Sequence, residues 1–386
     1  MDPTLAETLT GWRRHLHAHP ELSQHERATA AFVCARLAEF GIPFVAGVGG
    51  HGVVATLARG GADRSVGLRA DMDALPIAEP TILPHASRRP GVMHACGHDG
   101  HTAMLLAAAD YLSGHGNFDG TVYFIFQPAE ESEGGARVMI EQGLFDLFPA
   151  DAVFGLHNWP GLPVGQFGIF QGPVMASADR FDITITGHGA HAGMPHQGTD
   201  CLLAGSALTQ ALQSVVSRTL DPLDSAVLSI TRFHAGEAYN ITPDNATLGG
   251  TVRAHRAEVQ DQIEAAMRQI CHGIATSFGV HVNLDFRRGY PATVNSPAET
   301  QHCLQTAREV VGLDCVIKDL RPSMGAEDFS FMLQAKPGAY LRLGQGGSDG
   351  TGCSLHNSRY DFNDEVLPLG SAMHASLVEQ SLPVHE

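Results

Sequence analysis

Eight residues of this chain, His94-Ala95-Cys96-Gly97-His98-Asp99-Gly100-His101, hold three histidines, a cysteine and an aspartate. Each of those side chains binds a divalent metal once deprotonated. The two glycines let the backbone turn where a Cβ would forbid it. Cys96 and His98 are two apart, so they do not share a helix face, but in a turn they can converge on one ion. The strong helix-forming run Thr102–Ala109 follows, so the cluster reads as a loop feeding a helix N-terminus. Further donors lie elsewhere: Glu130-Glu131 after the apolar run Thr121–Phe126, His157 after Ala152–Leu156, and His356 in Leu355-His356-Asn357.

Cys96, His98, Glu131, His157 and His356 make five donors, more than one closed tetrahedral ion takes. With a bridging water they suit two ions roughly 3.5–4 Å apart. Mixed sulfur, nitrogen and oxygen donors fit zinc, with manganese, cobalt or nickel as alternatives. Neighbouring side chains in a turn point apart, so one glutamate of the pair can ligate while the other faces that water. A carboxylate so placed can take a proton and hand it to a leaving nitrogen, which is worth about 10²–10⁴-fold in rate.

The elements that must position these residues follow from the patterning. Helix is predicted to Pro20 and again from His25 to Phe40, ending at Gly41. Val53–Leu57, Ser65–Ala70, Thr121–Phe126, Ala152–Leu156 and Ala339–Leu343 read as strands, several apolar throughout, as in a sheet covered on both faces. Strand and helix alternate, which argues an α/β fold with a mostly parallel sheet flanked by helices. Asp71 and Asp73, Glu130 and Glu131, and His157 each follow the carboxyl end of a predicted strand, where open α/β sheets bind ligands. From 177 to 290 the pattern changes to strand, helix, two strands, helix, strand. That order, βαββαβ, is ferredoxin-like and reads as an inserted domain. Residues 1–176 and 291–386 then form one discontinuous metal-binding domain.

The net charge of −17 argues against nucleic acid and anionic membranes as partners. No apolar run approaches a membrane span, and Met1–Glu7 lacks the pattern of a signal peptide. Seven scattered cysteines, an odd number in a chain of this length, indicate free thiols and a cytoplasmic setting. The run Gly344–Gly352 lacks the ending of a phosphate loop.

The motifs, in this order, resemble the dinuclear-metal aminoacylase and carboxypeptidase family of amidohydrolases. The similarity is greatest to the branch of hippurate hydrolases, N-acyl-amino-acid amidohydrolases and indole-acetyl-amino-acid hydrolases. It runs from Arg13–Leu22 through Asp71–Pro76, Cys96–His101, Glu130-Glu131, Gly155–Asn158, Gly187–Pro195 and Gly325–Phe329 to Leu355–Asn357. It implies that Cys96, His98, Glu131, His157 and His356 hold two divalent ions and that Glu130 is the general base. Members of the wider family carry a histidine where this chain has Asp71, so Asp71 and Asp73 are candidates to support ligands rather than to be ligands. His101 has two readings, the same supporting role or a plain helix residue.

In Gly187–Pro195 the resemblance implies that His191 stabilises the oxyanion, often in a partner subunit's site. Asn240 and Arg253 resemble substrate-binding positions, although Arg253 by itself is only a cation at a strand end. The implied activity is hydrolysis of an N-acyl-amino acid to a carboxylate and a free amino acid, by a homodimer or homotetramer built on the inserted domain. Rival readings are a dipeptidase, an N-acetyl-diamino-acid deacetylase, and a non-catalytic metal or thiol sensor using Cys96. A sensor has no use for a base such as Glu130. A metallophosphatase would need a further basic residue near the motifs, and none stands there.

Overall fold

Helices α1 (Pro3–Ala18) and α2 (Arg27–Glu39) begin the chain on either side of Pro20, which restricts the residue before it to non-helical backbone. Leu9 and Leu16 of α1 and Val33 and Leu37 of α2 are buried. The computed structural model describes residues 3–132, 134–347 and 353–384, so 348–352 of the glycine-rich run lie outside the described residues. The chain divides into two units. The first comprises Met1–Gly172, Val294–Arg321 and Asp328–Glu386; the second comprises Pro173–Thr293 and Pro322–Glu327.

The first unit is an eight-stranded mixed sheet. Strands β1 (Phe44–Val48) and β2 (Gly52–Arg59) form an antiparallel edge, and β2 runs antiparallel to β4 (Gly120–Gln127). The centre is parallel: β4, β3 (Ser65–Asp71), β5 (Ala152–Trp159) and the strand Gly338–Gly344 lie side by side in that order. All residues of β3 and of Gly338–Gly344 are buried, which is why these strands are mostly apolar, broken by the charges of Arg69 and Asp71 and of Arg342. Helix α3 (His98–His115) packs against α1 and against the last helix, Leu367–Ser381, and its first dozen residues are all buried. Phe124, Phe126, Leu68, Phe154, Leu341 and Leu105 meet in the core. Register aligns the carboxyl ends of the parallel strands: Asp71 pairs with Gln127, and His157 with Arg342.

The second unit is a four-stranded antiparallel sheet with strand order Ala226–His234, Asn245–Ala254, Ala178–Thr186, His281–Tyr290. With helices Cys201–Ser214 and Ala257–Phe278 this is the βαββαβ arrangement expected from the pattern. Burial alternates along Ala178–Thr186, with Phe181, Ile183 and Ile185 facing Leu208, Leu212, Ile263 and Met267. Asp200 caps the first helix, its side chain accepting from the Leu203 amide at 2.9 Å. Among the described residues no helix is long and apolar enough to cross a membrane.

Candidate metal centre

The cluster loop enters α3 through Gly97, whose φ of 97° is left-handed. A Cβ there would lie 2.3 Å from Asn158 Oδ1, so both the turn and the close approach of the end of β5 require glycine. The loop is also tied to a distant segment, since the His356 amide donates to the Ala95 carbonyl at 2.7 Å.

The five ligand candidates are linked by short distances. Cys96 Sγ is 3.5 Å from His157 Nε2. His356 Nε2 is 3.2 Å, and His98 Nε2 3.9 Å, from Glu131 Oε1. Ligand atoms of Cys96, Glu131 and His356 all lie within 4.8 Å of one another, as do those of His98, Glu130 and Glu131. Glu131 therefore belongs to both groups.

Hydrogen bonds fix which ring nitrogen of each histidine is free. His98 Nδ1 faces Asp73 Oδ1 at 3.1 Å, while its Nε2 is buried without a hydrogen-bond partner among the described residues. His157 Nδ1 is 2.7 Å from the Asn158 carbonyl, which only a protonated nitrogen can satisfy, so Nε2 keeps its lone pair toward Cys96. His101 is spent on both sides: Nδ1 meets Asp71 Oδ1 at 2.6 Å, and Nε2 meets Asn158 Oδ1 at 2.6 Å. It joins β3 to β5 and has no nitrogen left for an ion.

The electrostatics describe a site short of positive charge. Burial alone would lower the pKa of His98, but Asp71, Asp73 and Glu131 raise it to about 10. The Glu131 hydrogen bond raises His356. Burial, with the charges of Glu131, Glu130 and Asp71, pushes the Cys96 thiol well up. His157 is held neutral by burial, the form that ligates. An orphaned buried nitrogen on His98, a neutral His157 and an excess of carboxylates fit divalent cations.

Behind the candidate donors stands a layer of which the sequence named Asp71 and Asp73 but not their partners. Asp73 accepts from Ser23 Oγ at 2.6 Å and from the Glu131 amide at 2.9 Å. Asp71 accepts from Arg69 at 2.8 Å; against burial, Arg69, His98 and His101 hold its carboxyl well below the usual range. Arg69 also donates to Gln127 Oε1 at 2.8 Å and to Asp328 Oδ1 at 3.1 Å. An arginine and a glutamine inside apolar strands were the available signal, because buried polar side chains need partners.

The remaining candidates belong to the second unit. The short strands Ala190–His191 and Ile241–Thr242 pair antiparallel, and the Ala192 amide donates to the Asn240 carbonyl at 3.0 Å, so His191 and Asn240 are neighbours. His191 Nδ1 accepts from the Gly193 amide at 3.0 Å, which places the proton of the neutral ring on Nε2 as a free donor. Arg253 lies on the strand Asn245–Ala254, beside a cavity of about 480 Å³ that is also lined by Arg180, Arg232 and Arg287. Arg253 is half-buried and makes no ion pair among the described residues. Burial lowers its pKa, partly offset by Asp179.

Comparison with known proteins covers nearly the whole chain. The family described as Peptidase family M20/M25/M40 matches residues 67–380. A hippurate hydrolase of Campylobacter jejuni is 42% identical over 95% of this chain and 94% of its own. An N-acetyl-L-cysteine deacetylase of Bacillus subtilis is 41% identical over 89% of this chain and 82% of its own. A crystal structure from Bacillus subtilis, described as a dinuclear metal binding peptidase from the M20 family, superposes with a TM-score of 0.86 at 34% identity and covers 98% of each chain.

Proposed function

This chain belongs to the M20/M25/M40 peptidase family, and on that premise we propose that it is a metal-dependent amidohydrolase of N-acyl-amino acids. The observation that carries the reading is Glu131, a carboxylate common to two groups of ligand atoms, with Glu130 beside it. Cys96, His98, Glu131, His157 and His356 would hold two divalent ions, which would supply Lewis-acid polarisation of the amide carbonyl and a water acidic enough to attack at neutral pH.

Glu130 takes the proton from the water that attacks the carbonyl carbon. It then delivers that proton to the amide nitrogen as the C–N bond breaks, leaving a carboxylate and a free amino acid. His191 donates from Nε2 to the oxygen on which charge develops. Its unit must reach the metal centre, from the same chain or from a partner in a homodimer or homotetramer built on that unit. Arg253 pairs with the carboxylate of the amino-acid moiety, a match of guanidinium and carboxylate geometry, and Asn240 adds a polar contact. Asp71 and Asp73 orient ligands. The seven cysteines are all free, which supports a cytoplasmic setting.

The test is a screen of protein stripped of metal and reloaded singly with zinc, manganese, cobalt or nickel. Substrates are benzoyl-, acetyl- and indole-acetyl-amino acids, with free dipeptides as the contrast. Metal-dependent release of amino acid from an acylated substrate is expected; turnover confined to free dipeptides would sink the reading. Elemental analysis should give two equivalents of metal per chain, and Cys96→Ala should lose at least one of them.

A further inference from the structure

The backbone that carries Glu130 is held at the residue on each side of it. The Glu131 amide donates to Asp73 Oδ2 at 2.9 Å. The Ala129 amide donates to Glu26 Oε1 at 2.8 Å. Ala129 is buried and adopts a φ of 56°, left-handed backbone that a side-chain-bearing residue rarely takes. A conformation of this kind persists only where its surroundings over-determine it. Gly135 adds a second tie, its amide donating to the Ala129 carbonyl at 3.0 Å.

Glu26 stands at the N-cap of α2, yet its side chain does not cap that helix. The residue has no solvent exposure, and its Oε2 is buried with no hydrogen-bond partner among the described residues. Burying a carboxyl is costly, and a helix start gains nothing from one that points elsewhere. Its other oxygen, Oε1, reaches across the chain to the turn leading to Glu130.

We infer that Glu26 is a positioning residue for Glu130: by accepting the Ala129 amide it locks the left-handed turn that sets where the Glu130 carboxylate stands. It is in none of the groups of candidate ligand atoms. Burial raises its pKa to about 7, and Asp73 raises it further, while its backbone hydrogen bonds oppose the shift. The neutral acid and the anion both present a carbonyl-type oxygen to Ala129, so glutamine reproduces the contact.

This inference rests on Glu130 acting as the base, and two readouts separate the claims. The first is steady-state kinetics of the metal-loaded parent, Glu26→Ala, Glu26→Asp and Glu26→Gln. Loss of the acceptor in Glu26→Ala should cut kcat about tenfold to a hundredfold, the scale of a misplaced catalytic group. KM and metal content should stay at the parental values. Glu26→Asp, which retracts the acceptor while leaving little void, should be impaired in the same direction, and it serves if the alanine variant fails to fold. Glu26→Gln should recover most of the turnover.

The second readout is hydrogen exchange at single-residue resolution, which needs no activity. The Ala129 amide should lose protection in Glu26→Ala or Glu26→Asp, while the Glu131 amide, held by Asp73, keeps it. An inactive parent on every acylated substrate defeats the proposed function, and the exchange result still decides the hold on the turn. Unchanged Ala129 exchange would overturn the inference. So would parental kcat in a variant whose Ala129 amide has opened, or a kcat loss that merely tracks lost metal or lost folded protein.

Discussion

His98 and His191 are both assigned from histidine-bearing motifs, and the structure treats them in opposite ways. His98 is fully buried, its Nδ1 on Asp73, and Asp73 is itself held by Ser23 and the Glu131 amide. His191 is exposed on a two-residue strand, and its one side-chain hydrogen bond among the described residues is to the Gly193 amide two residues away. The first is oriented by partners drawn from distant segments of the chain; the second is oriented by its own turn. A donor that must meet a cation with ångström accuracy is fixed from behind before anything binds. A donor that serves a transient charge on a substrate can stay in water until the substrate arrives.

The comparison breaks first at Glu130. Glu130→Gln keeps size and hydrogen bonding but cannot take a proton, so turnover should fall by about 10²–10⁴ with both metals retained. Steady-state kinetics paired with elemental analysis checks it, and a Gln variant near parental rate would remove Glu130 from the chemistry. His191→Ala should cost about 10²–10³ in turnover, again with metals intact, because the oxyanion loses one donor. Mixing His191→Ala with Glu130→Gln then asks which chain supplies the donor. If supply is in trans, exchanged heterodimers recover part of the activity; verified heterodimers that stay inactive refute it.

A smaller effect probes the buried side alone. His17 Nδ1 meets Asp99 Oδ2 at 2.8 Å and its Nε2 lies 3.5 Å from Glu79, all behind the start of α3. Burial lowers its pKa, but the hydrogen bond to Asp99 and the nearby Glu79 carboxylate win and raise it to about 9. A raised histidine contributes stability that is complete below the unfolded value of 6.5 and is lost as pH climbs through about 9. The contribution is about 3 kcal/mol at most. Denaturant unfolding should therefore show stability falling between pH 6.5 and 9, and His17→Gln should flatten that fall. An unchanged slope in the variant would assign the dependence elsewhere. The least effect belongs to the exposed side: Arg253→Gln should raise KM for a substrate bearing a free carboxylate by about tenfold, with kcat little changed. The matching amide substrate should show no such difference.

The proposed donors stand out in sequence because their side chains have few other uses in such density. Cys96, His98, Glu131 and His157 lie past strand ends or at a helix start, and the period of the strands located those ends. The βαββαβ unit was legible for a similar reason: its alternation is local and its strands pair within one contiguous stretch. What stayed hidden is the rest of the layer behind the proposed donors, beyond Asp71 and Asp73. Glu26 reads in sequence as an ordinary residue at a helix start, and its partner Ala129 lies far along the chain. His101 kept two readings until Asp71 and Asn158 were seen on its two nitrogens. Arg69 reaches acceptors on its own strand, on β4 and at Asp328, far along the chain. Such partnerships depend on which segments become neighbours, and no spacing records that.

The interleaving of the two units along the chain sets an order of events during folding. Strand β5 pairs on one side with β3, already behind it, and on the other with Gly338–Gly344, which follows the whole of the second unit. The second unit can close its sheet from strands that are consecutive in synthesis, whereas the first must hold an unpaired edge until its last central strand arrives. Long closures are slow, and unpaired edges recruit neighbours. The second unit is thus expected to gain protection early on the ribosome, and the first to need either speed or shelter. His356, beyond that last strand, joins the proposed donor set only after every strand of the large sheet has been made, so metal uptake would report a completed sheet rather than one merely begun.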